Sequence, residues 1–196
     1  MRRSKEETRE TISKLIKVAR YHFTYKGYAD AALEEIVEEA GVTRGALYHH
    51  FKNKKELFQN VLEQVQAEIA ECVEEEAARS EDAWEQLYLG CQAFISAAIE
   101  PQNKRILLID GPAVLGWDSW RRMDELNSMR LMREQLLMMQ DEGYLKPISI
   151  DGLTHMLSGA LNETALWLAQ FPEEKRAIEE TMEVIQLLFI GLRAKR

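Results

Sequence analysis

Thr43, Arg44, Gly45, Tyr48, His49, His50, Lys54 and Lys55 gather hydroxyl, guanidinium, phenol, imidazole and ammonium groups within a 13-residue stretch. Together they can donate hydrogen bonds and positive charge to a polyanion. Thr43 is a good helix N-cap, and a helix N-terminus offers backbone amides to a phosphate. Arg44 has the forked geometry that pairs with guanine or a phosphate. Gly45 and Ala46 are small enough for a helix backbone to lie close to base edges. Leu47 and Phe51, four residues apart, would anchor the opposite face. Tyr48, His49 and His50 then present polar tips, with Lys54 and Lys55 as flanking cations. His49 and His50 diverge by about 100° on a helix and do not readily share a metal ion. The chain has no His-Glu-x-x-His, Cys-x-x-Cys, glycine-rich phosphate loop or nucleophile elbow, so neither enzyme, metal nor cofactor chemistry is expected.

The elements that must position these groups are helices. Residues 27–58 read GYADAALEEIVEEAGVTRGALYHHFKNKKELF. Leu33, Ile36, Val37 and Ala40 mark a short helix over Leu33–Ala40, Gly41 ends it, and a third helix runs from Thr43 to about Phe51. Two short helices joined by a glycine-containing turn form a helix-turn-helix, whose second helix enters the DNA major groove. A first helix is expected from Ser4, where Ser4-Lys5-Glu6-Glu7 has capping-box form, with Ile12, Leu15, Ile16, Ala19 and Phe23 as its buried stripe. Asn53-Lys54-Lys55-Glu56 caps a fourth helix striped by Phe58, Val61, Leu62, Val65, Ile69, Cys72 and Val73.

The rest of the chain follows the same pattern. A helix over Trp84–Ala98 ends at Pro101. A short piece over Lys104–Ile109 is expected to break at Gly111-Pro112, and one long helix is expected over Trp117–Glu142. Two more cover Ile150–Gln170 and Glu173–Leu192, separated at Phe171-Pro172, for about nine helices in total. Ala, Leu, Glu and Met, all strong helix formers, number 20, 23, 26 and 8, so the fold class is all-α. The expected domains are a DNA-binding head over 1–55 and an effector-binding and dimerisation body over 56–196.

Charge divides at the same place. Residues 1–55 hold 12 Lys and Arg against 8 Asp and Glu, whereas the whole chain has a formal net charge of -8. A basic head on an acidic body directs a polyanion to the head alone. The longest stretch without Asp, Glu, Lys or Arg is residues 86–99, too short for a membrane span, which needs about 18 residues. The stretch MRRSKEETRE lacks an apolar segment, so no secretory signal is expected. With two cysteines, Cys72 and Cys91, read as buried apolar groups, the expected location is the cytoplasm.

The body offers candidate sites of lower specificity. Trp84, Tyr88, Asp110, Trp117, Trp120, Met123 and Asn162 are candidate lining for a small-molecule pocket, since Met and Trp suit adaptable apolar cavities. On the last helix Ile178, Met182, Ile185, Phe189 and Leu192 mark one stripe, widened by Val184, Leu187, Leu188 and Ile190. So wide an apolar arc needs two burial partners, the body and the same helix of a second subunit. Met156, Leu161, Ile178, Met182, Ile185 and Phe189 are the candidate dimer residues.

Gly27, Tyr28, Ile36, Ala40, Gly41, Val42, Thr43, Gly45, Leu47, Tyr48, His50, Phe51, Lys54 and Leu57 together form a pattern that resembles the TetR/AcrR family of bacterial transcriptional regulators. The resemblance covers the N-terminal quarter. It implies an Ω-shaped homodimer whose first three helices bind DNA, whose body holds a ligand pocket and whose last two helices pair with their symmetry mates. By position it implies Thr43, Tyr48 and Lys54 on phosphates, with Arg44, Gly45, His49 and His50 near base edges. The chain departs from the pattern at Ala31 and Ala32, where Ser or Thr is usual, and at Val37, where Ala is usual. Glu34, Glu35, Glu38 and Glu39 make the second helix acidic and are expected to face away from DNA. The function expected is a repressor that binds a pseudo-palindromic operator and is released by a small-molecule effector. The alternative is an activator, or a regulator controlled by a protein partner without an effector.

Overall fold

The computed structural model describes residues 5–171 and 174–194. Among them are ten α-helices, one π-helical turn and no strand; a single antiparallel bridge joins Leu145 to Arg193. The chain divides into two compact units. One comprises the chain up to Val65 with Pro101–Trp120, and the other Gln66–Glu100 with the chain from Arg121 onward. The expected boundary at 55/56 coincides with the start of a helix that runs on to Ala77. The compact units part further along that helix, and residues 101–120 return to the head.

In the first unit, α1 (Lys5–Asp30) buries Leu15, Ala19 and Phe23, the spacing of one helical face. Ile12 and Ile16 are half-buried. The capping box expected at Ser4 lies outside the described residues. Near its end α1 kinks at Gly27, whose φ of 80° is the left-handed region open to glycine. Helices α2 (Leu33–Glu39) and α3 (Arg44–His50) follow, joined through Gly41 at φ 65°. Ala32 caps α2 with no side-chain bond, whereas the Thr43 hydroxyl accepts the Ala46 amide at 3.1 Å on α3. α4 (Lys54–Ala77) is capped as expected, with Asn53 Oδ1 accepting the Glu56 amide at 2.9 Å. Phe23, Tyr28 and Phe58 form an aromatic cluster with centroids 5.1–5.9 Å apart.

The return segment is a π-helical turn (Arg105–Asp110) running directly into α6 (Gly111–Leu115). The break expected at Gly111-Pro112 does not occur. Pro112 sits in the first turn of α6, where a helix needs no amide donor, and the chain breaks at Gly116 with φ 87°. Gly111 serves close packing instead, since a β-carbon there would stand 2.8 Å from the Ile106 carbonyl and 2.9 Å from Trp120.

The expected long helix is in fact two, α7 (Trp117–Glu125) and α8 (Ser128–Asp141). Asn127 breaks it: its backbone leaves the helical region (φ -119°, ψ -116°) and its amide side chain donates to the Met123 carbonyl at 2.7 Å. In the second unit α5 (Ala83–Ile99) packs against α8, α9 (Ile150–Leu168) and α10 (Glu174–Leu192). Leu87, Phe94, Leu136, Met139, Leu157, Met182 and Phe189 are all buried there. The expected break at Pro172 lies outside the described residues.

Candidate nucleic-acid interface and cavity

Helix α3 has two faces of opposite character. Leu47 and Phe51 are buried, while Thr43, Arg44, Gly45, Tyr48 and His49 are exposed and His50 is half-buried. Burial of the apolar pair fixes the rotation of the helix and turns the donor groups outward. The Thr43 cap uses the Ala46 amide, leaving the amides of Arg44 and Gly45 without a backbone acceptor. A β-carbon at Gly45 would meet only the Thr43 hydroxyl, at 3.9 Å. No internal packing therefore requires glycine, though glycine weakens a helix by about 1 kcal/mol. What it provides is a bare backbone to an outside surface.

Arg44 is held in place before any ligand arrives. Its guanidinium lies 5.6 Å from the Tyr48 ring centroid and 3.1 Å from Glu34, and these neighbours, Tyr48 first, hold it firmly charged. Glu34 thus reaches the recognition helix, a contact not foreseen in the sequence. Of the other acidic residues of α2, Glu35 pairs with Lys26, which lowers its pKa, and Glu39 bonds His22 at 2.8 Å. His22 is buried, pins α1 to α2, and was also missed; a polar residue in the buried stripe of α1 was its only signal.

Lys54, which the resemblance implies on a phosphate, is engaged within its own unit in the free chain. Its ammonium donates to the Ala29 carbonyl at 3.1 Å and sits 4.7 Å from the Tyr28 ring centroid, and burial lowers its pKa. Lys55 is exposed, as is Lys52, which sequence reasoning did not single out.

Asp110 and Trp120, expected in a pocket, hold the first unit together. Asp110 accepts the Tyr28 amide at 2.8 Å and pairs with Arg105 at 3.5 Å, and the Arg105 guanidinium fills the space a β-carbon at Gly27 would take. The buried Trp120 indole donates to the Leu107 carbonyl at 2.8 Å. Trp117 is exposed and packs on Trp120.

The second unit contains a partly open cavity of about 330 Å³. None of the seven expected pocket residues lines it. Trp84 is buried against Phe189, with Arg193 over its ring, Met123 is buried, and Tyr88 is half-buried. Asn162 turns its amide to the Ser158 carbonyl at 3.0 Å. The walls come instead from α4, α5, α8 and α9, through Val73, Leu87, Phe94, Met129, Met132 and Leu161 among others. Asp124, 5% exposed, lines it too, and burial raises its carboxyl pKa despite Arg121 at 2.7 Å. Cys91 also lines the cavity; burial pushes its thiol up to about 12, so it is a neutral apolar wall group.

The candidate dimer residues divide between two faces. Leu161, Met182 and Phe189 are buried within the chain itself, Ile178 and Ile185 are half-buried, and Met156 is exposed. The outward apolar surface is the other side of the same helices, with Val184, Leu187 and Leu188 on α10 and Met156 and Trp167 on α9. Among the described residues no cluster of three metal-ligating side chains occurs, and no helix is long and apolar enough to cross a membrane.

Residues 15–61 match the family model for bacterial regulatory proteins of the tetR family, and residues 84–192 match that for the tetracyclin repressor-like C-terminal domain. The chain is similar to the HTH-type transcriptional regulator TtgR of Pseudomonas putida, 38% identical over 112 residues, which are 54% of this chain and 51% of TtgR. It is also similar to the HTH-type transcriptional repressor BepR of Brucella suis, 42% identical over 62 residues, 32% of this chain and 30% of BepR. The match thus spans about half or less of the length of these relatives. A crystal structure of a TetR-family transcriptional regulator from Pectobacterium atrosepticum superposes with a TM-score of 0.82 at 32% identity, over 98% of this chain and 99% of that one.

Proposed function

Since the chain belongs to the TetR family of bacterial regulatory proteins, we propose that it is a homodimeric repressor released from its operator by a small-molecule effector. It is a transcriptional regulator with an N-terminal DNA-binding domain, and its relatives are regulators, not enzymes. The observation that carries the finer reading is α3, which buries Leu47 and Phe51 and exposes Arg44, Gly45, Tyr48 and His49 as one donor-rich face. Arg44, Gly45, His49 and His50 read base edges, while Thr43, Tyr48 and Lys55 hold phosphates and set the register. Lys54 reaches a phosphate only by leaving Ala29.

Two copies pair through the outward faces of α9 and α10, with Val184, Leu187, Leu188, Met156 and Trp167 at the seam. Exposed apolar side chains of this size on two adjoining helices are a mark of an interaction site. An isologous pair presents two recognition helices to two half-sites, so the operator is pseudo-palindromic. The cavity, of a size that suits a small ligand, is the effector site. An effector that binds the released state more tightly than the operator-bound state shifts the population away from DNA in the cytoplasm.

Leu187→Glu tests the assembly. Sedimentation is expected to show a dimer for the parent chain and a monomer for the variant, with operator affinity lost in parallel. A parent chain that sediments as a monomer while bound to operator would refute the dimer reading.

A further inference from the structure

The cavity is apolar but not neutral. Glu74, Asp124 and Glu134 line it, and no lysine, arginine or histidine does. Glu134 is paired with Arg130 at 2.8 Å, while Glu74 has no ion pair among the described residues. Asp124 is the telling group. Arg121, Ser158 and Asn162 all bond its Oδ2, at 2.7, 3.1 and 3.5 Å, and among the described residues no hydrogen bond ends on Oδ1. An ionised carboxylate has about four acceptor positions, and Oδ1, which is not among the fully buried unpaired atoms, keeps its own open to solvent or to a ligand.

Arg121 does not make the site attractive to an anion. Its guanidinium is held by Asp124, by the Ser158 hydroxyl at 2.8 Å and by His155 Nδ1 at 3.4 Å. The remaining wall, with Phe94 and the thioethers of Met129, Met132 and Met138, is soft and polarizable and accommodates an irregular apolar body. An anionic head would meet like charge at the buried Asp124 and at the exposed Glu74 and Glu134.

We propose that the cavity takes an apolar ligand carrying a protonated amine, whose N–H donates to Asp124 Oδ1. This rests on the reading of the cavity as the effector site. The cation adds to the positive charge that Arg121 already sets beside Asp124 and further favours its ionised form, so ligand and carboxylate stabilise each other.

Three probes sharing one apolar body test it: 4-phenylbutylammonium, 4-phenylbutanol and 4-phenylbutyrate, titrated calorimetrically into the full chain near neutral pH. The ammonium is expected to bind about tenfold or more tightly than the alcohol, as for a hydrogen bond between charged groups, and the butyrate to bind weakest. Asp124→Asn is expected to bring the ammonium's affinity down to that of the alcohol or below, removing the preference between them. Equal affinities, or a tighter alcohol or butyrate, overturn the proposal; this series on the parent chain decides even where the variant fails to fold. The same probes are then added to the operator complex. An ammonium that binds preferentially yet leaves the operator bound upholds the ligand class and refutes effector control. An alcohol that binds and releases the operator as well as the ammonium does upholds effector control and refutes the ligand class.

Discussion

Glu34 and Arg44, 3.1 Å apart on the surface, form a solvent-screened pair that adds little to folding. In the function proposed, its consequence falls on DNA binding: Arg44 would leave Glu34 to reach a base, and the carboxylate that remains would repel phosphates. Glu34→Gln is therefore expected to raise affinity for operator and scrambled duplexes by a similar factor, leaving the ratio between them nearly unchanged; titration of both at one salt concentration checks this. Arg44→Ala is expected to cost about 1–3 kcal/mol and to relax one operator position, read from binding to single-base variants. The role of Thr43 was legible because a cap is a local event, settled within three residues. The partners of Glu34, His22 and Lys54 were not, since each bond joins residues 10 to 25 positions apart and depends on how helices meet. Asp124 has its folded pKa above the ordinary value of 3.8, so its ionisation opposes folding. Its penalty is absent below that value, grows as pH rises through the folded pKa and is complete above it. Asp124→Asn is expected to flatten this fall in stability, measured by denaturant unfolding across acidic to neutral pH.

Helices were legible where a cap, a stripe and a stop agreed, as in α3, with Thr43, Leu47 and Phe51. They were misread where one residue decided against a strong pattern. Apolar spacing continues through Trp117–Glu142, and only the turn made by Asn127, through its bond to the Met123 carbonyl, divides it. Pro112 misled in the other direction, because a proline in the first turn of a helix breaks nothing. α2 begins at Ala32 with no side-chain cap, so Ala32→Ser is expected to stabilise the head by about 1 kcal/mol, seen as a higher Tm. Gly27→Ala is expected to do the reverse. Its φ of 80° is strained for alanine and the new methyl displaces Arg105 from its place beside Asp110, so the Tm falls.

At the scale of the molecule, the sequence showed a basic stretch on an acidic chain, an all-α fold and a wide apolar arc on the last helix. It did not show which side of that arc is buried. Met182 and Phe189 are covered by the chain itself, and Val184, Leu187 and Leu188 are left outward. The cavity was equally hidden, because the large aromatic residues that suggest a pocket are used as packing, and the space arises where Val73, Leu87 and Met132 fail to fill it. In the function proposed, operator recognition depends on α3 reading base edges in paired half-sites. Selection of bound sequences from random duplex DNA, at fixed salt, tests that most directly. The expected product is a pseudo-palindrome whose half-sites are centred one helical turn, about 34 Å, or a multiple of it apart. Unenriched sequence, bound only in proportion to low salt, would contradict it.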